Sequence, residues 1–339
     1  MRPRPIHNPP NPYETTSVTW LEAPPDQPVR VYEDATRNIL AKNDSPDLSF
    51  SWSVNPYRGC LHACAYCYAR PTHEYLGFGA GSDFETQIVI KPDAARLLRE
   101  AFDKPSWKGE LVMFSGVTDC YQPLEASYRL TRGCLEVCLE YRNPVAVITK
   151  APLVERDIDL LAALATEAGA GVSMSIPFWD PDKARAIEPF VATPERRIRA
   201  LERLSAAGIP VGVMVAPIIP GLNDQDIGAV LGAARAAGAS WAGMVLLRLP
   251  GSVKAVFEDK LRARLPLAAD KILHRIRETR GGKLYDSRFG ARQVGEGHYA
   301  ETIQSFFDQM VKKLGFPGRF PAPSAFRRPA RGQLALGLD

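Results

Sequence analysis

Between residues 50 and 249, six short apolar runs alternate with helical patterns, and this alternation limits the possible folds more than any other feature. Each run is followed by a segment whose apolar positions have helical spacing. Pro194 marks one helix start and Gly208 the end of that helix. Such repetition predicts parallel strands joined by right-handed crossovers. The predicted strands are residues 50–54, 110–115, 145–150, 171–176, 210–219 and 241–249, with a side strand at 87–91.

These elements predict an α/β fold, a partial (β/α)6 TIM-like barrel that stays partly open because it has fewer strands than a closed (β/α)8 barrel. A chain of 339 residues that is 45% hydrophobic can bury a core of this size. Residues 1–49 are Pro-rich and lack periodicity, which predicts an N-terminal extension, either wrapped on the barrel or disordered. The barrel core is assigned to residues 50–250, a helical C-terminal cap to 251–315 and a basic Pro-rich tail to 316–339.

Three cysteines follow the first predicted strand. Cys60, Cys64 and Cys67 have the spacing C-x3-C-x2-C within NPYRGCLHACAYCYAR. Thiolates hold both zinc and iron–sulfur clusters. A structural zinc site requires four ligands, which His62 or His73 would have to complete. On a four-iron cluster, three cysteines instead leave one iron open to an outside molecule.

This loop, with Tyr66 before the last cysteine, resembles the hallmark of the radical S-adenosylmethionine (SAM) superfamily. The fuller pattern, followed by SGVTDCYQPLE and VITK, is similar to the spore photoproduct lyase-like group of DNA repair lyases. The resemblance implies a [4Fe-4S] cluster on Cys60, Cys64 and Cys67, whose open iron chelates SAM. One electron from that cluster then cleaves SAM to a 5′-deoxyadenosyl radical, while the protein positions and shields the reactants.

Chemistry in parallel barrels collects at the carboxyl ends of the strands. The resemblance implies that Lys150 pairs with the SAM carboxylate and that Tyr66 lies near the adenine. The segment after the second strand departs from the Gly-Gly-Glu pattern that many superfamily members use for the SAM amine. Arg58 and Arg70 flank the cysteine loop, where they either raise the potential of a cluster or form surface ion pairs. The cofactor-binding residues predicted in this way are Tyr66, Ser115, Thr118, Asp119, Lys150, Ser175 and Ala216.

The remaining cysteines have different predicted roles. In spore photoproduct lyases a cysteine in the segment after the second strand donates a hydrogen atom, but Gly116 stands at the matching position here. We therefore predict Cys120 as a substitute catalytic donor, with a small buried residue as the alternative. Cys134 and Cys138 are spaced i, i+4 on a predicted helix and are interpreted as core residues.

Aromatic and basic residues suggest an anionic substrate. Trp179 follows the fourth strand, and residues 285–292 mix tyrosine, phenylalanine and arginine. From residue 312 onward there are six basic residues against Asp339 alone, which gives either a polyanion-binding arm or a solvated tail. The aromatic and basic residues after the strands suit DNA or another nucleic acid as substrate, and equally suit a cap packed over the barrel. The resemblance to the lyase group implies repair of damaged pyrimidines as the reaction.

Two alternatives remain: radical modification of a peptide or small molecule, and a non-enzymatic metal-containing nucleic-acid binding module. A low-potential donor such as flavodoxin or ferredoxin is the expected source of electrons. No apolar run is long enough to predict a membrane span. The first thirty residues lack the apolar core of a signal peptide, and the six cysteines do not mark a disulfide scaffold, so a cytoplasmic location is expected.

Overall fold

The computed structural model describes residues 12–13, 28–318 and 325–329. Its main sheet has seven strands: β2 (Leu40–Lys42), β3 (Trp52–Val54), β6 (Val112–Phe114), β7 (Val145–Thr149), β8 (Ala170–Ser175), β9 (Val211–Ile218) and β10 (Trp241–Leu246). Their order across the sheet is β10-β9-β8-β7-β6-β3-β2. A smaller sheet has the order β1-β5-β4 and consists of β1 (Arg30–Glu33), β4 (Tyr57–Arg58) and β5 (Gln87–Ile90).

The six predicted barrel strands pair side by side and all run parallel, from β3 through β6, β7, β8 and β9 to β10. Only β2 is antiparallel to its neighbour in this sheet, pairing with β3. The predicted α/β partial-barrel fold is confirmed. Because the strands are parallel, their carboxyl ends share one rim. Of the predicted site residues, Ser115 and Lys150 directly follow β6 and β7, Ser175 is the last residue of β8, and Ala216 lies near the end of β9.

Helices cover the outer face of the sheet. Between the two layers lies the main core, which includes Val172, Val213, Leu135, Leu164 and Leu231. The helices of the barrel region are α1 (Ser82–Thr86), α2 (Ala94–Asp103), α3 (Glu125–Tyr128), α4 (Leu130–Glu140), α5 (Ile158–Glu167), α6 (Pro181–Ile187), α7 (Pro194–Ala206) and α8 (Ile227–Ala236). Short 3-10 helices occupy Arg70–Leu76, Pro152–Asp157 and Asp224–Asp226.

One predicted helix, at residues 124–141, is instead broken into α3 and α4. Arg129 stands between them with a left-handed φ of 53°. The Glu125 side chain accepts hydrogen bonds from the backbone N–H groups of Thr131 and Arg132, at 3.0 and 3.2 Å. A helical pattern does not reveal this break, because the bonds that stabilise it come from a side chain outside α4.

Small residues on β9 and β10 make room for large side chains. A Cβ added to Gly212 would lie 2.1 Å from the Trp241 indole, and one added to Gly243 would lie 2.7 Å from the Met214 sulfur. The Trp241 indole N–H donates to the Ser173 hydroxyl at 3.1 Å, which links β10 to β8. Any larger residue at either glycine would therefore displace side chains between these strands.

Strands β1 and β2 lie within the predicted N-terminal extension, so part of that segment belongs to the two sheets. The extended segment pairs with β5 on one side and β3 on the other. Residues 1–11 and 14–27 of the extension lie outside the described residues.

The C-terminal region forms a helical cap. A second core cluster joins cap residues such as Phe257 and Ile272 to Cys64 and Tyr66 in the cysteine loop. The cap helices are α9 (Val253–Arg264), α10 (Ala269–Glu278), α11 (Ala291–Val294) and α12 (His298–Leu314). Among the described residues, no helix combines the length and apolar character needed to span a membrane.

The predicted basic tail is described at 316–318 and 325–329. Arg328 there donates from its guanidinium to the carbonyl oxygens of Phe102, Lys104 and Trp107, at 3.1, 2.6 and 2.9 Å. The Phe326 ring stacks on Tyr141 with ring centroids 6.3 Å apart. Arg328 is therefore engaged with the barrel, whereas the sequence predicted either a polyanion-binding arm or a solvated tail.

Candidate functional site

The three predicted cluster cysteines lie in one compact loop after β4. The loop turns at Gly59, with φ 78°, and at Ala63, with φ 54°. A Cβ on Gly59 would lie 2.9 Å from both His73 and Ile88, so only glycine fits there. Turn hydrogen bonds link Ala63 N to Cys60 O and Cys67 N to Cys64 O, both at 3.3 Å. These bonds place the three thiols along one short arc of backbone.

The loop thiols are shielded from water. Cys60 and Cys64 are each 6% exposed, and Cys67 is half-buried. Burial, followed by the nearby Asp119 carboxylate, raises the pKa of the Cys60 thiol. Burial and then Glu188 raise the pKa of Cys64 to about 12. Because a cysteine binds iron as its thiolate, a cluster held by Cys60 and Cys64 would have to displace the protons that burial favours there.

The donor set fits a cluster better than a single ion. Within the described ranges, no three His, Cys, Asp or Glu side chains are grouped so that they could hold a metal ion. One ring nitrogen of each histidine considered as a zinc ligand has a protein partner: His73 Nε2 lies 2.7 Å from Gln87 O, and His62 Nδ1 lies 3.5 Å from Asp119 Oδ2. Each thiolate of a cubane binds a different iron, so the three sulfurs need not converge on one point.

Side chains of the segment after β6 form hydrogen bonds with the backbone at the start of the cysteine loop. Thr118 donates from its hydroxyl to Gly59 O at 2.6 Å. Gln122 is fully buried; its amide donates to the same carbonyl at 3.2 Å, and its Oε1 accepts from Leu61 N at 3.1 Å. Ser115, with a φ of 89°, donates to Ile148 O at 2.7 Å and accepts from Cys120 N at 3.2 Å. Sequence reasoning missed Gln122, although its place beside the T-D pair offered a signal.

Asp119 joins this segment to the end of β7. Its carboxylate accepts from the Thr149 hydroxyl at 2.6 Å and from the backbone N–H of Lys150 at 2.8 Å. Burial lowers the pKa of His62 despite the neighbouring Asp119 carboxylate. The predicted cofactor residues Ser115, Thr118 and Asp119 therefore stabilise the loop geometry, and direct SAM contact by them stays a prediction.

Tyr66 is held by a buried network that the sequence did not predict. Its hydroxyl donates to the Glu188 carboxylate, which also pairs with the Arg197 guanidinium. Glu188 and Arg197 are each only 1% exposed. Arg197 further donates to Ser175 O at 2.8 Å, at the carboxyl end of β8. This network ties the cysteine loop to the barrel rim.

Four of the predicted SAM residues are brought together at this rim. The Lys150 ammonium lies 5.7 Å from the centroid of the Tyr66 ring. Burial lowers the pKa of Lys150, but Cys64, Glu188 and Asp119 outweigh it and raise that pKa overall. The Ser175 hydroxyl donates to Ala216 O at 3.0 Å. In the described part of the chain Lys150 has no ion-pair partner, so its charge is available to an anionic ligand.

Cys120 is less accessible than its predicted role requires. It is fully buried in the main core, and its carbonyl accepts from the Thr131 hydroxyl at 2.6 Å. The alternative of a small buried residue fits this position, because a hydrogen donor must touch the substrate radical. Cys134 and Cys138 are also fully buried in that core.

At the mouth, Tyr68 and Arg248 form a pair that sequence reasoning missed. Tyr68 is 51% exposed and donates to Gly116 O at 2.8 Å. The Arg248 guanidinium lies 5.6 Å from the Tyr68 ring centroid, and its buried Nε has no hydrogen-bond partner among the described residues. Their positions, directly after Cys67 and after the last barrel strand, were the available signals.

The arginines predicted to contact substrate already form ion pairs within the protein. Arg292 pairs with Asp47 and donates to Ser45 Oγ at 2.5 Å, while Arg288 pairs with Asp286 and Glu296. The Phe289 ring lies 4.2 Å from the Arg292 guanidinium and is 59% exposed. Trp179 is 42% exposed. Arg288 and Arg292 therefore form ion pairs within the protein, whereas the exposed rings of Phe289 and Trp179 are accessible to a ligand.

Comparison with known proteins decides the family. The model of the radical SAM superfamily matches residues 54–234, which run from the end of β3 through the cysteine loop to most of α8. The chain belongs to the radical SAM superfamily. Superfamily membership implies a [4Fe-4S] cluster and SAM, and it makes the protein a radical SAM enzyme. The sequence-based recognition is thereby confirmed.

Two relatives in sequence carry names that assign no activity. This radical SAM protein is 38% identical over 243 residues to an uncharacterized protein of Mycobacterium tuberculosis, covering 71% of this chain and 72% of the relative. It is 33% identical over 173 residues to an uncharacterized protein of Methanocaldococcus jannaschii, covering 51% of this chain and 62% of the relative.

The fold is shared with spore photoproduct lyase. The structure of that lyase with a dinucleoside spore photoproduct has a TM-score of 0.62 at 15% identity, covering 85% of this chain and 80% of the lyase. A cysteine-to-serine mutant of the lyase gives a TM-score of 0.59 at 17% identity, covering 85% of this chain and 79% of the mutant. This likeness supports the spore photoproduct lyase-like group at the level of fold.

Proposed function

We propose that this radical SAM enzyme carries its [4Fe-4S] cluster on Cys60, Cys64 and Cys67 and acts as a carbon–carbon lyase on damaged pyrimidines in DNA. The observation that carries the cofactor assignment is that Tyr66 of the cysteine loop lies beside Lys150 at the barrel rim. Superfamily membership makes the three-thiol loop the natural holder of the cluster.

The chain's own residues would bind and orient SAM. Lys150 supplies a cation for the carboxylate, since it has no ion-pair partner among the described side chains. Ser175 and Ala216 contribute a hydroxyl and the strand-end backbone that face the same rim. When bound, cluster and SAM together supply one-electron cleavage of the sulfonium. The buried Tyr66 network keeps the loop rigid and water away from it.

The mouth supports a nucleic-acid substrate. An exposed tyrosine with an arginine over its ring, here Tyr68 and Arg248, suits base stacking combined with phosphate contact. A lesion in duplex DNA would have to leave the stack to reach this rim. The shared fold with a lyase whose complex contains a dinucleoside lesion supports the same substrate class.

The experiment is anaerobic turnover after reconstitution with iron and sulfide, with dithionite as reductant. We expect 5′-deoxyadenosine from SAM, and its amount should rise with a dinucleotide lesion as substrate. Deuterium at the abstracted position should appear in that product. Cys67→Ala should abolish cleavage, while Cys138→Ala, a matched change in the core, should retain it.

The other outcomes separate the alternatives. SAM cleavage with no reaction of any lesion would favour a peptide or small-molecule substrate. Tetrahedral zinc in the anaerobically purified protein, or an intact cluster that cleaves no SAM, would favour a nucleic-acid binding module. We place the protein in the cytoplasm, with reduced flavodoxin or ferredoxin as its electron donor. Either protein should therefore support turnover in vitro when it is used in place of dithionite.

A further inference from the structure

The C-terminal cap reaches back to the cysteine loop through one lysine. Lys260 of α9 donates from its ammonium to the carbonyl of Ala63, at 3.1 Å, between the first two cysteines of the loop. Only 13% of the Lys260 side chain is exposed. A buried ammonium at this place is costly unless it is compensated.

Glu85 provides that compensation, but it is shared with a second cation. The Glu85 carboxylate pairs with both Lys260 and Arg70. Arg70 is fully buried, and its guanidinium donates to Cys64 O from Nε at 3.3 Å and from Nη2 at 2.8 Å. Two cations therefore contact adjacent carbonyls of the loop against one carboxylate. Burial lowers the pKa of Lys260 to about 8 even with Glu85 beside it, so at pH 7 and below the group carries close to one net positive charge.

This charge lies where water screens it poorly. Glu85 is 10% exposed and Arg70 not at all, so the interaction of this group with nearby charges is stronger than in solvent. The reduced form of a cluster carries one more negative charge than the oxidised form. A net cation fixed against the loop backbone therefore stabilises the reduced form.

We propose that Lys260 is a positioning residue through which the cap raises the reduction potential of the cluster, and that Glu85 opposes it. The inference rests on the proposed cluster at Cys60, Cys64 and Cys67. The cap thus does more than cover the barrel: docking of α9 makes the cluster easier to reduce. Arg70, one of the two arginines predicted to flank the loop, forms the other half of this device.

The test is a redox titration of the reconstituted protein followed by electron paramagnetic resonance. Lys260→Met removes a positive charge and should lower the ratio of reduced to oxidised cluster at a fixed potential by about tenfold, or about 59 mV for one electron. Glu85→Gln removes a negative charge and should raise that ratio by a similar factor. Lys254→Met changes an exposed lysine of the same helix and should leave the ratio unchanged.

If the effect is electrostatic, the ratio of reduced to oxidised cluster shifts in opposite directions in Lys260→Met and Glu85→Gln. If the substitutions merely loosen the loop, both variants lose cluster and the ratio shows no such opposite shifts. Iron and sulfide content is measured alongside, and Glu85→Gln alone decides the sign if Lys260→Met fails to retain a cluster. Shifts in the same direction, or no shift with full occupancy, would overturn the inference. A wild-type protein that binds no cluster would instead refute the proposed function.

Discussion

Replacing Arg197 by methionine removes the cation from a buried ion pair with Glu188. Both side chains are at most 1% exposed, so the carboxylate left behind cannot be solvated. Removing one partner of such a pair costs about 3–5 kcal/mol. Because the Tyr66 hydroxyl still donates to Glu188, we expect the loss of unfolding free energy to lie at the lower end of this range, about 3 kcal/mol. With an unfolding entropy of about 2.1 cal/mol/K per residue over 339 residues, the melting temperature should then fall by roughly 4 °C.

The assay is urea unfolding, checked by thermal melts. Arg199→Met, on the exposed face of the same helix, is the control and should change the unfolding free energy by no more than about 0.5 kcal/mol. Glu188→Gln in the Arg197→Met background removes the unpaired charge, so the double variant should lose less than the sum of the singles. A loss below about 1 kcal/mol for Arg197→Met, or strictly additive losses, would refute the assignment of a coupled buried pair.

Four further predictions concern single side chains. Lys150→Met should weaken SAM binding by roughly ten- to hundredfold in calorimetry, because a charged hydrogen bond is worth about 1.5–3 kcal/mol, while Lys254→Met should not. Cys120→Ala should lower the unfolding free energy by about 1 kcal/mol, and an unchanged product and side-product ratio would end its role as hydrogen donor. Arg328→Ala should lower the unfolding free energy by about 1–3 kcal/mol in urea unfolding, because it leaves carbonyls without donors; no loss would show that the tail does not anchor. Hydrogen bonds from Arg288 lower the pKa of Asp286 to about 2, so the stability gap between wild type and Asp286→Asn should be full above pH 4 and shrink as the pH falls toward 2; a gap independent of pH would contradict this.

The sequence by itself determined the barrel and the place of its chemistry. Strand and helix periods are local properties, so the six parallel strands and their carboxyl ends could be predicted within a few residues. The C-x3-C-x2-C spacing brings three thiols together within one loop, whatever the rest of the chain does. The family model agrees with that local pattern.

Only the tertiary structure decided which distant residues support the loop. Glu188 and Lys260 follow the last loop cysteine by more than a hundred positions, and no local pattern marks a side chain that will meet the loop after folding. Packing likewise placed Cys120 inside the core and Arg248 over Tyr68. Contacts of this kind depend on how the sheet, the helices and the cap pack against one another. The hydrophobic periodicity of a single segment carries no information about that packing.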